Sequence, residues 1–592
     1  MFFCHRPVHH IVENQINQGT MTTIFSTFFH ELWQYDPHNP LQFSSITFLI
    51  LFVVVYLIYY LIKKNVPLRN IYLLVFSLFF YYKSSGWYFL LLLSTAWVDF
   101  TIAHFLFYQK GNTKKLLIAL SLFINLGVLA YFKYSHFFSE VFNEFFGATF
   151  KWEALFLPVG ISFFTFQSLS YSIDVYRGDL VPLSAGKTSL KGIIMSFLNY
   201  CFYISFFPQL VAGPIVRASQ FLPQITMPSR LGVLQAGQGL FLFSCGLFKK
   251  IILSDTIGVF WVDRVFENPS LYSGMGNLLA VYGYTLQIYL DFSGYSDMAI
   301  GLALLMGFTL TENFNRPYLS TSLQEFWRRW HISLSTWLRD YLYISLGGNR
   351  GSKLKTYINL FLTMLLGGLW HGAGWMFILW GGLHGLGLAL DRLLSSAGQF
   401  LSKPLSKSFI LILSLLGGIS AYLFFKMTGE TMEKWQVMEW QLYVLHLALG
   451  ATLLFSLGVL IEKWGKSFKI PLLISGIFTF HFVAFCWIFF RAGAIGSILP
   501  SGELLGKVLS KLSSIHFDPS FIMEVHDKTP YVLPAILFGF ILHFSPIILK
   551  EKITLWFSKQ SFVVQAILVS LVITCVLILN TQRTVPFIYF QF

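Results

Sequence analysis

Residues 356–390 read TYINLFLTMLLGGLWHGAGWMFILWGGLHGLGLAL and contain no Asp, Glu, Lys or Arg. As one helix the stretch would run roughly 50 Å, well beyond the ~30 Å apolar core of a bilayer. It is too long and too rich in glycine for a single span, so it predicts membrane segments that are broken or re-entrant. The glycines permit either close backbone approach or a break where a long substrate could pass.

The rest of the chain extends this reading. Of its 592 residues 55% are hydrophobic, 18% aromatic and 11% charged, with a mean hydropathy of +0.64. Soluble domains are about 45–50% apolar and about 25% charged. Such a chain has the bilayer as its solvent. Further apolar runs lie near 43–62, 68–82, 87–108, 116–135, 154–175, 193–212, 235–253 and 278–308, then 408–426, 442–461, 471–490, 531–549 and 562–580. The fold expected is an all-α polytopic membrane protein of about 11–13 transmembrane or re-entrant helices, forming one domain over 41–592. Residues 1–40 are a polar, histidine-containing extension without a cleavable signal pattern, and Met21 is an alternative start to Met1.

The net charge of +14 does not point to nucleic acid, because the basic residues sit in short loops and form no continuous block. Lys63, Lys64 and Arg69, then Lys110, Lys114 and Lys115, then Arg177, Lys187 and Lys191 follow alternate spans, while Glu140, Glu144 and Glu153 occupy an intervening loop. The positive-inside rule puts the basic loops, and the stretch from Arg316 to Lys355, on the cytoplasmic side. Of the five cysteines, Cys4 lies in the extension, while Cys201, Cys245, Cys486 and Cys575 lie in apolar runs and read as small buried hydrophobes, not disulfides or metal ligands. No metal site is expected: HExxH and EF-hand patterns are absent. The turn Gly347-Gly348-Asn349-Arg350-Gly351-Ser352-Lys353 lacks the spacing of a phosphate loop, and Ser293 lacks the leading glycine of a nucleophile elbow.

Polar residues concentrate between 312 and 385. The run from Phe326 to Asp340 interleaves Trp327, Trp330 and Trp337 with Arg328, Arg329 and Arg339, which predicts a helix lying at the membrane interface. Its arginines serve either a site or simple anchoring; His331 stands apart, because an anchor gains nothing from an imidazole. His371 lies inside the apolar stretch, and an ionisable residue there is by default a functional-site hypothesis. A neutral imidazole can take a proton from a hydroxyl near neutral pH. His384 is 13 positions on, roughly 220° around an ideal helix, so it shares a face with His371 only if the helix breaks. Asp99, Asp174, Asp291 and Asp297 are read as structural carboxylates paired with helix-end arginines or backbone donors.

Four ordered blocks carry a resemblance: Pro158 to Gln167 (PVGISFFTFQ), Arg328 to Asn349, Leu369-Trp370-His371-Gly372, and Phe485 to Ala492 (FCWIFFRA), with the ending Phe587 to Phe592 also in keeping. The sequence resembles the membrane-bound O-acyltransferases, in particular the bacterial branch that modifies alginate and teichoic acids. The resemblance implies a ring of helices around a central funnel, with His371 as the essential histidine and His331 as its recurrent companion. It implies O-acyl, specifically acetyl, transfer from a cytoplasmic thioester, acetyl-coenzyme A or an acyl carrier protein, with no tightly bound cofactor. Arg328, Arg329, Trp330, Arg339, Asp340 and Asn349 are then expected to receive the donor, and Trp370, Gly372 and His384 to line the path. The acceptor would be a hydroxyl of an extracytoplasmic polysaccharide or of a relay protein, and the location the bacterial inner membrane. The rival reading is a transporter or flippase for polysaccharide or lipid-linked precursors, which needs no bond chemistry.

Overall fold

The computed structural model describes residues 33–37, 40–150, 155–229, 231–401, 470–494, 500–515 and 520–580. The expected segments 408–426 and 442–461, most of the N-terminal extension and the ending 587–592 lie outside them. The described residues are helical, with turns and loops between helices and no strand among them. They fall into two compact units, the first drawn from Met1–Phe132, Phe156–Val211 and Arg217–Arg230, the second from Lys133–Leu155, Ala212–Val216 and Leu231–Phe592.

In the first unit, α1 (Ile46–Ile62), α2 (Val66–Ser85) and α3 (Phe89–Tyr108) follow the first three apolar runs. The side chains of Ser45 and Asn65 accept hydrogen bonds from Phe48 and Leu68, capping α1 and α2. The fourth run becomes the long α4 (Gly111–Phe146), which passes from the first unit into the second, and α5 (Ile161–Arg177), α6 (Leu190–Ser205) and α7 (Ala218–Thr226) complete the first unit. Asp99 accepts hydrogen bonds from Ser121 (2.7 Å) and Asn125 (2.9 Å), so its partners are neutral donors and not an arginine.

The second unit is built on α8 (Val233–Leu247), which runs on through π-helical turns to Val262, and α9 (Gly274–Leu305). Gly246 and Gly294 face each other so closely that a methyl on either would meet the other's carbonyl oxygen. Two lysines of the π segment face carboxylates: Lys249 meets Asp297 of α9 at 2.6 Å, and Lys250 meets Asp291 of α9 at 2.5 Å and Asp255 of its own segment at 2.8 Å. Lysines pair with Asp291 and Asp297, where helix-end arginines or backbone donors were expected. Short helices α10 (Leu323–Arg329) and α11 (Ile332–Trp337) follow, then α12 (Lys353–His371) and α13 (Trp375–Leu401). The last described group is α14 (Ile470–Ala492), α15 (Ser501–Ser513), α16 (Ser520–Lys528), α17 (Val532–Phe544), α18 (Ile547–Ser558) and α19 (Phe562–Asn580).

By length and composition, three described helical runs can cross a membrane, Val66–Tyr108, Gly111–Phe146 and Ile474–Ala492. A fourth candidate is the α17–α18 pair, bent by 94°; α1 and Phe562–Ile578 are apolar but shorter. The other helices carry small and polar residues, and α5 buries almost all of them. Lipid cannot satisfy such groups, so protein neighbours must. Cys201 and Cys486 are buried, as small hydrophobes should be, whereas Cys575 is exposed.

The stretch 356–390 is broken, as its length requires. Helix α12 starts at the capping hydroxyl of Ser352, which accepts from Lys355, and ends at His371. Residues 372–374 are non-helical, and α13 begins at Trp375. The two helices touch at glycine: a methyl built on Gly368 would overlap the Phe377 carbonyl, and one on Gly381 the Met364 carbonyl.

Candidate active site

The interfacial helix expected over 326–340 does not form. The chain turns sharply at His331, between α10 and α11, with φ 41° and ψ 56°. Such left-handed backbone is unfavourable for a residue with a Cβ, and it concentrates at functional sites. The turn is held by Asn313. Its carbonyl accepts from the Ile332 amide (2.9 Å), and its side-chain oxygen accepts from the Ser333 amide (3.2 Å) and hydroxyl (2.6 Å). Ser333 Oγ in turn accepts from the Ile215 amide at 3.0 Å. Trp330 and Trp337 are buried in protein. An alternation of Trp and Arg suits a surface helix and a buried elbow equally, which is why the pattern misled.

The turn places the His331 imidazole, fully buried, against the Phe292 ring at 4.6 Å between centroids and near Trp370 at 6.3 Å. Trp370 meets the His371 ring edge-on at 5.0 Å. His371, 4% exposed, meets Trp380 at 5.1 Å and Phe490 at 5.3 Å. Trp380 continues to His384 at 4.9 Å. Three histidines thus lie along one column of rings, His331–Trp370–His371–Trp380–His384. The break after His371 brings His384 into it, the condition that helical geometry set. Aromatic walls of this kind fix ring orientation at little entropic cost and exclude water.

Gly372 caps α12, and a side chain there would run into the Phe377 ring. Ala373 and Trp375, just beyond, are exposed, so the break reaches the molecular surface within two residues of the buried His371. Trp330 joins the same enclosure through Trp487 (4.9 Å), which stacks on Trp380 at 5.6 Å.

The remaining expected residues lie elsewhere. Arg328 is exposed, and Arg329 is engaged by Glu325 at 2.7 Å within α10. Partial burial acts to raise the Glu325 carboxyl, but hydrogen bonds from Thr321 and Arg329 outweigh it and hold the group below the usual range. Arg339, its side chain 61% exposed, pairs with the adjacent Asp340 at 2.6 Å. Asn349 is exposed and accepts from the Tyr343 hydroxyl. None of these contacts joins the arginines to the histidine column.

Sequence reasoning missed Lys133 and Tyr134 of α4. Lys133 Nζ donates to the carbonyls of Trp370 (2.7 Å) and His371 (2.9 Å), and Tyr134 Oη donates to that of Leu369 (2.8 Å). The signal was present as a lysine near the end of the apolar run 116–135.

Three buried histidines thus share one enclosure of aromatic rings, and His371 lies at a helix break. The MBOAT, membrane-bound O-acyltransferase, family pattern matches residues 113–401, which contain all three histidines and Lys133. The chain is 42% identical over 389 residues to the probable alginate O-acetylase AlgI of Pseudomonas aeruginosa, spanning 64% of this chain and 71% of that protein. It is 38% identical over 377 residues to the peptidoglycan O-acetyltransferase of Helicobacter pylori, with 60% and 71% covered. It is 29% identical over 239 residues to the teichoic acid D-alanyltransferase of Bacillus subtilis, or 38% of this chain and 56% of that one. The chain belongs to the membrane-bound O-acyltransferase family and is an O-acyltransferase. That displaces the transporter reading.

Proposed function

We propose that the chain is an O-acetyltransferase of the bacterial inner membrane that moves acetyl from a cytoplasmic thioester to hydroxyls of an extracytoplasmic polysaccharide, directly or through a relay protein. The single observation behind this is the placement of His371, at the end of α12, where a buried imidazole meets a break that reaches the surface. The names of the alginate and peptidoglycan relatives favour acetyl as the group and a polysaccharide as the acceptor.

The donor is acetyl-coenzyme A or an acetylated carrier protein, and the exposed Arg328, Arg339 and Arg350 offer positive charge for its phosphate groups. The positive-inside rule supports a cytoplasmic position for these arginines. The acceptor hydroxyl approaches through the break, and His371 takes its proton as the oxygen attacks the thioester carbonyl. Collapse of the tetrahedral intermediate breaks the C–S bond. The thiolate leaves with the proton returned by the imidazolium, so ester and thiol form with no net proton change. His331 orients the donor or polarises its carbonyl, while Trp370 and Trp380 hold the path dry.

The test compares the acetyl content of secreted polymer in cells with and without this chain. Loss of acetyl esters in its absence, restored by the wild-type gene, supports the reading. An unchanged acetyl content, or loss of a different acyl group, contradicts it.

A further inference from the structure

We infer that Lys133, assisted by Tyr134, is a positioning residue that fixes the reactive histidine by clamping the end of its helix from a separate element. The inference rests on the reading of His371 as the base. The last four carbonyls of any helix lack partners inside it. Here the following residues cannot supply them: the chain turns extended at Gly372, and the Gly374 amide donates to the Gly372 carbonyl. Left open in apolar surroundings, each carbonyl would be costly.

Two neighbouring side chains of α4 instead take three consecutive carbonyls, those of Leu369, Trp370 and His371. An ammonium carries three donors and can serve two carbonyls at once. Its positive charge also complements the negative end of the helix dipole. A lysine in a membrane helix is expensive to place, so its position at this helix end, over 230 residues away in sequence, calls for a purpose. Lys133 Nζ also lies 5.8 Å from the centre of the Trp370 ring, between the two histidines. With its carbonyl held, His371 has its Cα fixed and its ring set against Trp380 and Phe490. Without the clamp the last turn of α12 frays, and the imidazole leaves the column. Lys133 spends two donors on backbone and acts through His371, not on the reacting atoms.

The test uses the full-length protein in membranes, with radiolabelled acetyl-coenzyme A as donor probe and polymer from the producing cells as acceptor. K133M should lower kcat about 10–100-fold with KM for the donor nearly unchanged, the signature of a misplaced catalytic group. K133R, which keeps a charge and several donors, should recover most of that loss. Y134F, which removes one bond, should lower kcat by a few-fold. Should K133M fail to fold, K133R and Y134F still decide the matter: a donor KM that rises while kcat holds overturns the inference. H371A is measured in parallel. If H371A is inactive while K133M and Y134F turn over normally, the clamp is wrong and the base assignment stands. If H371A is active, the base assignment itself falls.

Discussion

His331 illustrates how much a single residue can be asked to bear. Its backbone lies in the left-handed region, one of two non-glycine residues to do so among the described residues, the other being Arg316. A Cβ in that region costs roughly 1–2 kcal/mol, yet the position holds an imidazole. H331G is therefore expected to be more stable than H331A by about 1 kcal/mol, since both lose the ring and only glycine relieves the backbone. Neither variant should transfer acyl groups at more than a small fraction of the wild-type rate. Thermal unfolding in detergent and acyl-transfer assays check the two halves. Equal stability of the two variants would show that the turn is not strained. This conformation was invisible in the sequence, because glycine is the usual marker of left-handed backbone and none is present. The imidazole itself was legible, since histidine is out of place in an anchoring helix.

At the scale of elements, the hairpin of α12 and α13 decides where His371 sits. Its helices meet at Gly368 and Gly381, where added methyl groups would strike backbone atoms that cannot move aside. G368A or G381A should therefore cost about 1–3 kcal/mol through overpacking and lower kcat by separating His371 from Trp380. At Gly382, on the same helix, an added methyl would meet only side-chain atoms, none nearer than 3.7 Å, so G382A should be neutral or slightly stabilising. A comparison of the three by thermal unfolding checks the claim; equal losses at all three would point to general glycine intolerance instead. The break was legible because 35 uncharged residues exceed one span. The clamp on it was not, because nothing local to Phe132-Lys133-Tyr134 reveals that this short sequence faces the end of a helix more than 230 residues later. Likewise, the interfacial helix expected over 326–340 failed because Trp and Arg alternate in the same way whether the rings face lipid headgroups or a protein core.

For the whole molecule, solvent matters more than any one contact. Apolar composition made the polytopic class legible at once, and most described helices fall on the expected runs. Pairing partners were harder to foresee, since hydropathy reports which residues are buried and not which residues they meet. The second unit holds Lys250 between Asp291 and Asp255 with almost no exposure of Lys250 or Asp291. Removing one partner from such a group leaves an uncompensated buried charge. K250M is expected to destabilise the protein by about 3–5 kcal/mol, whereas a K250M/D291L pair should lose less than K250M alone. Unfolding midpoints in detergent test this, and additive losses would contradict it. The proposed role of the buried imidazole at the end of α12 is to take the proton of the acceptor hydroxyl. The most direct measurement is transfer of labelled acetyl by purified, folded His371→Ala protein reconstituted in lipid. The expected result is a fall of at least about 100-fold in kcat relative to wild type. Transfer at the wild-type rate by a folded His371→Ala protein would contradict it.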